Sequence, residues 1–139
     1  MLTNRRTIAI EWGDCDPAGV VYYPRYFALF NACTDALFEH GGFPRKVREN
    51  KYQILGTPLV DARARFIAPL RYGETAVIES CIAEFRESSF QVQHKVYKNN
   101  ELVVEALETR VWAVRSAADP NQMEGKPIPA DVIKRFSEP

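Results

Sequence analysis

The sequence predicts an α+β fold in which an antiparallel sheet wraps around one long central helix, and three observations predict it. One stretch repeats apolar residues at helical spacing, Tyr26, Phe30, Cys33 and Leu37, between Pro24 and the stop signal Gly41-Gly42. Four extended segments follow, almost without interruption. An alternating, strand-like segment precedes the helix, so the order is strand, helix, strands, which is the pattern of an α+β arrangement. With 139 residues and 46% hydrophobic content the chain can bury one core and has the usual size of one domain, so residues 1–139 are read as a single domain.

The elements follow in order. Arg6 to Trp12 alternates, with Ile8, Ile10 and Trp12 on one side and Thr7, Ala9 and Glu11 on the other. The loop GDCDPAG, dense in turn formers, comes next. The helix from Pro24 adds Phe27, Leu29 and Phe38 on other sides, so it is expected to be largely enclosed. After Gly56-Thr57-Pro58 come Leu59 to Ala68, Thr75 to Phe85, Ser89 to Tyr97 and Leu102 to Arg115. Arg71-Tyr72-Gly73 and Lys98-Asn99-Asn100 read as tight connections, which predicts antiparallel neighbours. In the last segment Glu108 and Arg110 fall on the side of Leu102, Val104 and Ala106, which points to a bulge or an inter-subunit contact. The tail is loop, then one or two helical turns from Ala130. A single sheet leaves one face and its edges to be covered, so oligomerisation is expected.

Eighteen basic and eighteen acidic residues cancel, which favours neither nucleic acid nor an anionic membrane as partner. The N-terminus carries two arginines and then alternates instead of running apolar, as neither a leader nor a membrane span would, and the expected location is cytoplasmic. Cys15, Cys33 and Cys81 are odd in number and lack a CxxC pair, which speaks against a disulfide framework and against zinc. His40 and His94 are far apart and without ordered acidic partners, so no metal site and no cofactor is expected. His94, on the apolar side of its strand, reads as a hydrogen-bonded core group more readily than as an acid-base catalyst.

The segment EWGDCDPAGVVYYPRYFALFNA, Glu11 to Ala32, resembles the signature of the 4-hydroxybenzoyl-CoA thioesterase family: a strand, a GDxDxxG-type loop and the start of a central helix. GTPLV at Gly56 to Val60, FRESSFQVQHKV at Phe85 to Val96 and IPADVI at Ile128 to Ile133 sit where that family has similar segments. The resemblance implies a hotdog fold, dimers that pair into homotetramers, and hydrolysis of an acyl-CoA at a subunit interface, with coenzyme A serving only as part of the substrate. The family's catalytic aspartate matches Asp16, and its oxyanion donor matches the backbone N–H of Tyr23. Asn31 stands where members acting on aromatic substrates present a polar group to the ring, here an amide and not an acid.

The residues support this chemistry on their own terms. An aspartate of ordinary pKa, about 3.9, is ionised at neutral pH and needs no activating base. A coenzyme A thiolate, with a pKa near that of a cysteine thiol, roughly 8.5, leaves without strong acid help. The growing charge on the carbonyl oxygen needs N–H donors, and a helix start supplies them. None of Val21, Tyr22 or Tyr23 is a usual N-cap residue, so first-turn N–H groups such as those of Arg25 and Tyr26 are expected to lack side-chain acceptors.

Asp16 acts as nucleophile or general base, and both roles stay open; Asp14 reads as a turn residue. Cys15, between two acids, reads as a bystander. Gly19 allows a conformation closed to other residues near the substrate. Tyr22 with Phe27 and Phe30 suits an aromatic acyl group or serves as core. Asn31 and Thr57 are pocket lining or, equally, a helix polar pair with Asp35 and a turn residue. Arg86, Lys95 and Lys134 are candidates for the coenzyme A phosphates. The leading substrate is an aromatic, hydroxybenzoyl-like acyl-CoA. The alternatives are short aliphatic acyl-CoAs and a non-enzymatic module binding acyl-CoA or acyl carrier.

Overall fold

The computed structural model describes all 139 residues. Strand β1 (Thr3–Ala9) leads through a 3₁₀ turn (Trp12–Asp14) to helix α1 (Tyr23–His40), followed by helix α2 (Arg45–Tyr52). Then come β2 (Leu59–Phe66), β3 (Thr75–Phe85), β4 (Ser89–Lys98), β5 (Glu101–Val111), β6 (Ala113–Arg115), β7 (Met123–Gly125) and helix α3 (Ala130–Ser137). Five strands form one sheet in the order β1-β3-β4-β5-β2, every neighbouring pair antiparallel, and β6 pairs with β7 separately.

The face presented by alternate residues of β3, β4 and β5 packs on α1. Tyr26, Phe30 and Cys33 join Ala76, Ile78, Val96, Val104 and Ala106 in one cluster of buried residues. Leu37 and Phe38 join Ile82, Phe90, Val92, Trp112 and Phe136 of α3 in a second. Cys33 packs in the first cluster as a small apolar group, whereas Cys81 meets Gln93 Oε1 at 3.9 Å outside both clusters; burial pushes both thiols above the usual range.

Several expectations change. The first strand begins at Thr3, three residues early, because its partner β3 extends to Cys81 and pairs with it there. Trp12 does not continue the apolar side: Asp14 N–H donates to the Glu11 carbonyl, the chain turns, and Trp12 stays 75% exposed, edge-on to Tyr72. Helix α2 has little sequence signature, because its one strong signal is charge, RKVRENKY, with little apolar periodicity.

The Asn99-Asn100 connection is a tight hairpin with both residues at positive φ. Arg71-Tyr72-Gly73, in contrast, does not join neighbours, since β2 lies at the opposite edge beside β5. The chain crosses the end of the sheet there. Ile67 and Ala68 N–H groups bond the Val103 carbonyl, and Gly73 N–H bonds the Ile10 carbonyl. Nor is α1 enclosed in one chain, because Ala28, Asn31 and Ala32 form an exposed stripe along it.

Candidate active site

The loop before α1 is built by hydrogen bonds that leave few groups free. Asp14 is buried; its Oδ2 accepts the Glu11 N–H at 2.9 Å, and its Oδ1 accepts Nε and Nη2 of Arg25 at 3.1 and 2.9 Å. Its carbonyl also accepts the Tyr22 N–H at 2.8 Å. Asp14 is therefore the structural acid of the pair. Asp16 opens a turn: its carbonyl accepts the Gly19 N–H, its N–H donates to the Val20 carbonyl, and its Oδ1 accepts the Ala18 N–H at 2.9 Å. That is an Asx turn, yet Oδ2 makes no hydrogen bond within the chain, and the residue is only half-buried. Gly19 sits at φ +80, the left-handed conformation that the turn requires, with no protein atom within 4 Å of where a Cβ would be. Cys15 contacts the Glu11 carbonyl at 3.6 Å, bridges to Val21 and packs against the first cluster.

At the helix start Tyr22 is the N-cap and offers no side-chain cap. The Arg25 N–H, expected to be free, donates to the Tyr22 carbonyl at 2.8 Å, because the first turn tightens to an i→i−3 bond. The Tyr23 N–H has no partner, and the next residue, Pro24, has no N–H at all. One backbone donor thus stands alone at the positive end of an 18-residue helix. Beside it lies an apolar pocket of about 280 Å³ lined by Val20, Tyr23, Tyr26, Phe66 and Ile67 among others. Burial pushes the Tyr26 phenol up to about 12, so it stays neutral. Tyr22 and Tyr23 are exposed and meet edge to face at 5.6 Å.

Farther along α1 a buried polar chain crosses from sheet to surface. His94, fully buried and stacked on Phe30, lies 2.7 Å from Ser80 Oγ through Nδ1 and 2.9 Å from Glu108 Oε1 through Nε2. Thr34 donates to the same Glu108 oxygen at 2.6 Å. Burial pushes the Glu108 carboxyl up, but hydrogen bonds from His94, Arg110 and Thr34 together outweigh it and hold it at about 2. Arg110 binds Glu108 through Nε and Nη2, and reaches Asn31 Oδ1 and the Thr57 carbonyl at 2.9 Å each. Strand β5 does carry the expected irregularities of register, at Leu102/Val104 against β4 and at Thr109/Arg110 against β2, while Glu108 and Arg110 keep to the inner side. They are an ion pair on the inner face, both under a tenth exposed.

Asn31, Thr57 and Arg110 line a cleft of about 350 Å³ with Asp35, Arg45 and Arg48. Asp16 and Tyr23 do not line it. The chain therefore gathers the expected residues in two groups: Asp16, Gly19, Tyr22, Tyr23 and Arg25 at the start of α1, and Asn31 with Thr57 two turns on. The drift of alternation in β5 was the sequence signal for Glu108 and Arg110. Arg45 and Arg48 have none, since the residues of α2 carry little apolar periodicity.

The basic candidates do not converge. Arg86 leaves the β3–β4 turn and contacts Glu84 at 3.4 Å. Lys95 lies mid-strand between Glu79 and Glu105 on the neighbouring strands. Lys134 is exposed on α3, whose preceding segment bonds the β3–β4 turn through Ile128 N–H and the Glu87 carbonyl. No group of three or more His, Cys, Asp or Glu side chains is placed to hold a metal ion.

The fold is shared with solved structures. The 4-hydroxybenzoyl-CoA thioesterase of Pseudomonas sp. strain CBS-3 superposes with a TM-score of 0.87 at 33% identity, covering 96% of this chain and 98% of that one. An aspartate-to-asparagine variant of a 4-hydroxybenzoyl-CoA thioesterase, solved with 4-hydroxybenzoyl-CoA, matches equally. A gentisyl-coenzyme A thioesterase superposes at 0.79 and 28% identity, over 97% of this chain and all of the other. Fold and site together define a hotdog-fold thioesterase. In sequence, the Pseudomonas enzyme is 36% identical over 136 residues, 92% of this chain and 93% of that protein. The profile of the thioesterase-like superfamily matches residues 10–136, and the chain belongs to that family.

Proposed function

We propose that the protein hydrolyses an acyl-CoA to the free acid and coenzyme A, with Asp16 as the catalytic carboxylate and the Tyr23 N–H as oxyanion donor. The observation that carries the assignment is the pairing of one unpartnered N–H, isolated by Pro24, with one unpartnered carboxylate oxygen on the adjoining turn. Asp16 attacks the thioester carbonyl, or draws a proton from water that does. In the first case an Asp16 mixed anhydride forms as the C–S bond breaks, and water then opens it. Attack is favoured, since carboxylates as a class are weak bases towards water at neutral pH and need no proton removed before they act as nucleophiles. Membership of a thioesterase family sets aside the binding-module alternative.

The acyl group is aromatic in this reading, placed between the tyrosine-rich start of α1 and a second copy of the chain. Eight residues of α1, about 12 Å at 1.5 Å each, separate Tyr23 from Asn31, farther than a benzoyl ring reaches. A partner completing the pocket resolves this. Strand β2 is a sheet edge bearing exposed Leu59, Val60 and Phe66, and the α1 stripe is uncovered, so both are surfaces for copies that pair into a homotetramer. Arg86 and Lys134, at one end of the molecule, are better placed for coenzyme A phosphates than Lys95 with its flanking acids. Three free thiols fit a cytoplasmic enzyme.

The test is thiol release from benzoyl-, 4-hydroxybenzoyl-, phenylacetyl- and short-chain acyl-CoA by the wild-type protein and Asp16→Asn. Hydrolysis lost in the variant supports the reading. A wild type inert on every thioester, or a variant of undiminished rate, overturns it.

A further inference from the structure

Arg71 is the one arginine whose guanidinium has no partner within the chain. Every other arginine holds a carboxylate, a carbonyl or, for Arg6, the Cys33 sulfur. At Arg71 only the backbone is engaged: its N–H donates to Glu74 Oε1 at 2.6 Å, its carbonyl accepts the Glu74 N–H at 3.1 Å, and the residue bridges to Val20. Lys98 holds the other Glu74 oxygen, so that acid is matched already and the exposed Arg71 charge is open to solvent. The Asp16 turn sets where this charge stands. The Val20 carbonyl accepts the Asp16 N–H, and the Val21 N–H donates to the Leu70 carbonyl, which puts Arg71 one strand pairing away from that turn. On the other side, Gly73 N–H bonds the Ile10 carbonyl and Ile10 N–H bonds the Glu74 carbonyl. Trp12 and Tyr72 meet there, rings edge-on at 5.7 Å, 75% and 60% exposed. An edge-to-face pair covers one ring face at most, so the other faces are open for stacking. Glu11, exposed beside Trp12, and Asp16 are acids without a cation, so an anion is held at the Arg71 end of the group and not over Trp12.

A free guanidinium beside open aromatic faces matches a ligand that joins a phosphate to a flat ring. We propose that Arg71, Trp12 and Tyr72 hold the nucleotide of the substrate's coenzyme A, with the diphosphate on Arg71 and the adenine on the Trp12–Tyr72 pair. This deepens the function proposed above and rests on it: the pantetheine arm carries the diphosphate away from the thioester, and Arg71 lies just beyond the Asp16 turn on the same chain. Arg86 does not reach that place from the same chain. Strand β3 runs from Thr75 to Phe85 between the two, about 33 Å at 3.3 Å per residue. Arg71 is thus the phosphate contact supplied by the chain that carries Asp16, and Arg86 is left to a second copy.

The experiment takes the acyl group hydrolysed fastest in the panel above and compares its CoA thioester with its N-acetylcysteamine thioester, which has no nucleotide. The wild type is expected to prefer the CoA thioester in kcat/KM. Arg71→Ala is expected to reduce that preference by about tenfold or more, through KM, and Arg71→Lys to recover part of it. The KM for the CoA thioester should rise with salt in the wild type and less in Arg71→Ala. Trp12→Ala should narrow the same preference. No preference in the wild type, one unmoved by Arg71→Ala, or a loss of equal size on both thioesters overturns the proposal without touching the catalytic assignment. Should no thioester be hydrolysed, the catalytic assignment fails, and Trp12 fluorescence still decides this one, since the other tryptophan, Trp112, is buried. Coenzyme A, but not pantetheine, is expected to quench the emission of the wild type, more weakly that of Arg71→Ala, and not that of Trp12→Phe. No quenching of the wild type at millimolar coenzyme A, or quenching undiminished in Arg71→Ala, counts against the site.

Discussion

Arg25 grips Asp14 with two donors on one carboxylate oxygen, Nε at 3.1 Å and Nη2 at 2.9 Å, and thereby ties the first turn of α1 to the loop that carries Asp16. The other Asp14 oxygen holds the Glu11 N–H, and its carbonyl holds the Tyr22 N–H. One acid thus fixes both ends of the loop. Asp14→Ala should lower stability by about 1–2 kcal/mol, mostly through the lost backbone partner, since the Arg25 side chain is half exposed. It should also lower kcat/KM by about tenfold or more through misplacement of the reacting groups. Thermal unfolding and steady-state kinetics on one preparation check both.

Asp16→Asn keeps an oxygen for the Ala18 N–H, so the turn survives while the anionic group is lost. The melting temperature is expected to stay within a few degrees. A fall in kcat of about a thousandfold or more is expected if the carboxylate attacks or takes the proton. Retained kcat with a raised KM would assign Asp16 to binding.

Backbone N–H groups are rarely open to mutation, but Tyr23 is an exception. It is the first residue of α1 and Tyr22 before it is extended at ψ 121, a conformation that tolerates a following proline. Tyr23→Pro should therefore remove the donor at little cost to the helix and reduce kcat by about 100-fold or more. Tyr23→Ala, which removes only an exposed side chain and keeps the N–H, is the control and should retain most of kcat.

Glu108 makes stability depend on acid. Its folded pKa of about 2 lies below the ordinary 4.5, so between those values the unfolded chain binds more protons than the native one. Its contribution is present above pH 4.5 and is lost as pH falls towards 2. Glu108→Gln should flatten that limb of the stability curve in urea unfolding. At neutral pH it should cost about 3 kcal/mol, because Arg110 loses its buried counter-charge.

Much of the fold was legible in the sequence because its determinants are local. The 3.6-residue recurrence of Tyr26, Phe30, Cys33 and Leu37 and the Pro24 and Gly41 boundaries place α1 within a residue, and alternation alone gives β3 its limits, Thr75–Phe85. Asp16 was legible as a motif position, and Gly19 as a residue whose φ must be positive. Periodicity does not reveal which strands pair, so the short connection suggests β2 beside β3 although it lies beside β5.

By itself the sequence determined an α+β chain of one strand, one long helix and further strands, the acidic turn before that helix, and the proline that follows Tyr23. The tertiary structure alone decided that Tyr23 is the free donor and Arg25 is not, that Asp14 is the brace and Asp16 has a free oxygen, and that Glu108 and Arg110 turn inward. The reason is physical. Hydrogen-bond satisfaction depends on which atoms meet across the fold, and Asn31 and Arg110, 79 residues apart in sequence, are 2.9 Å apart in space.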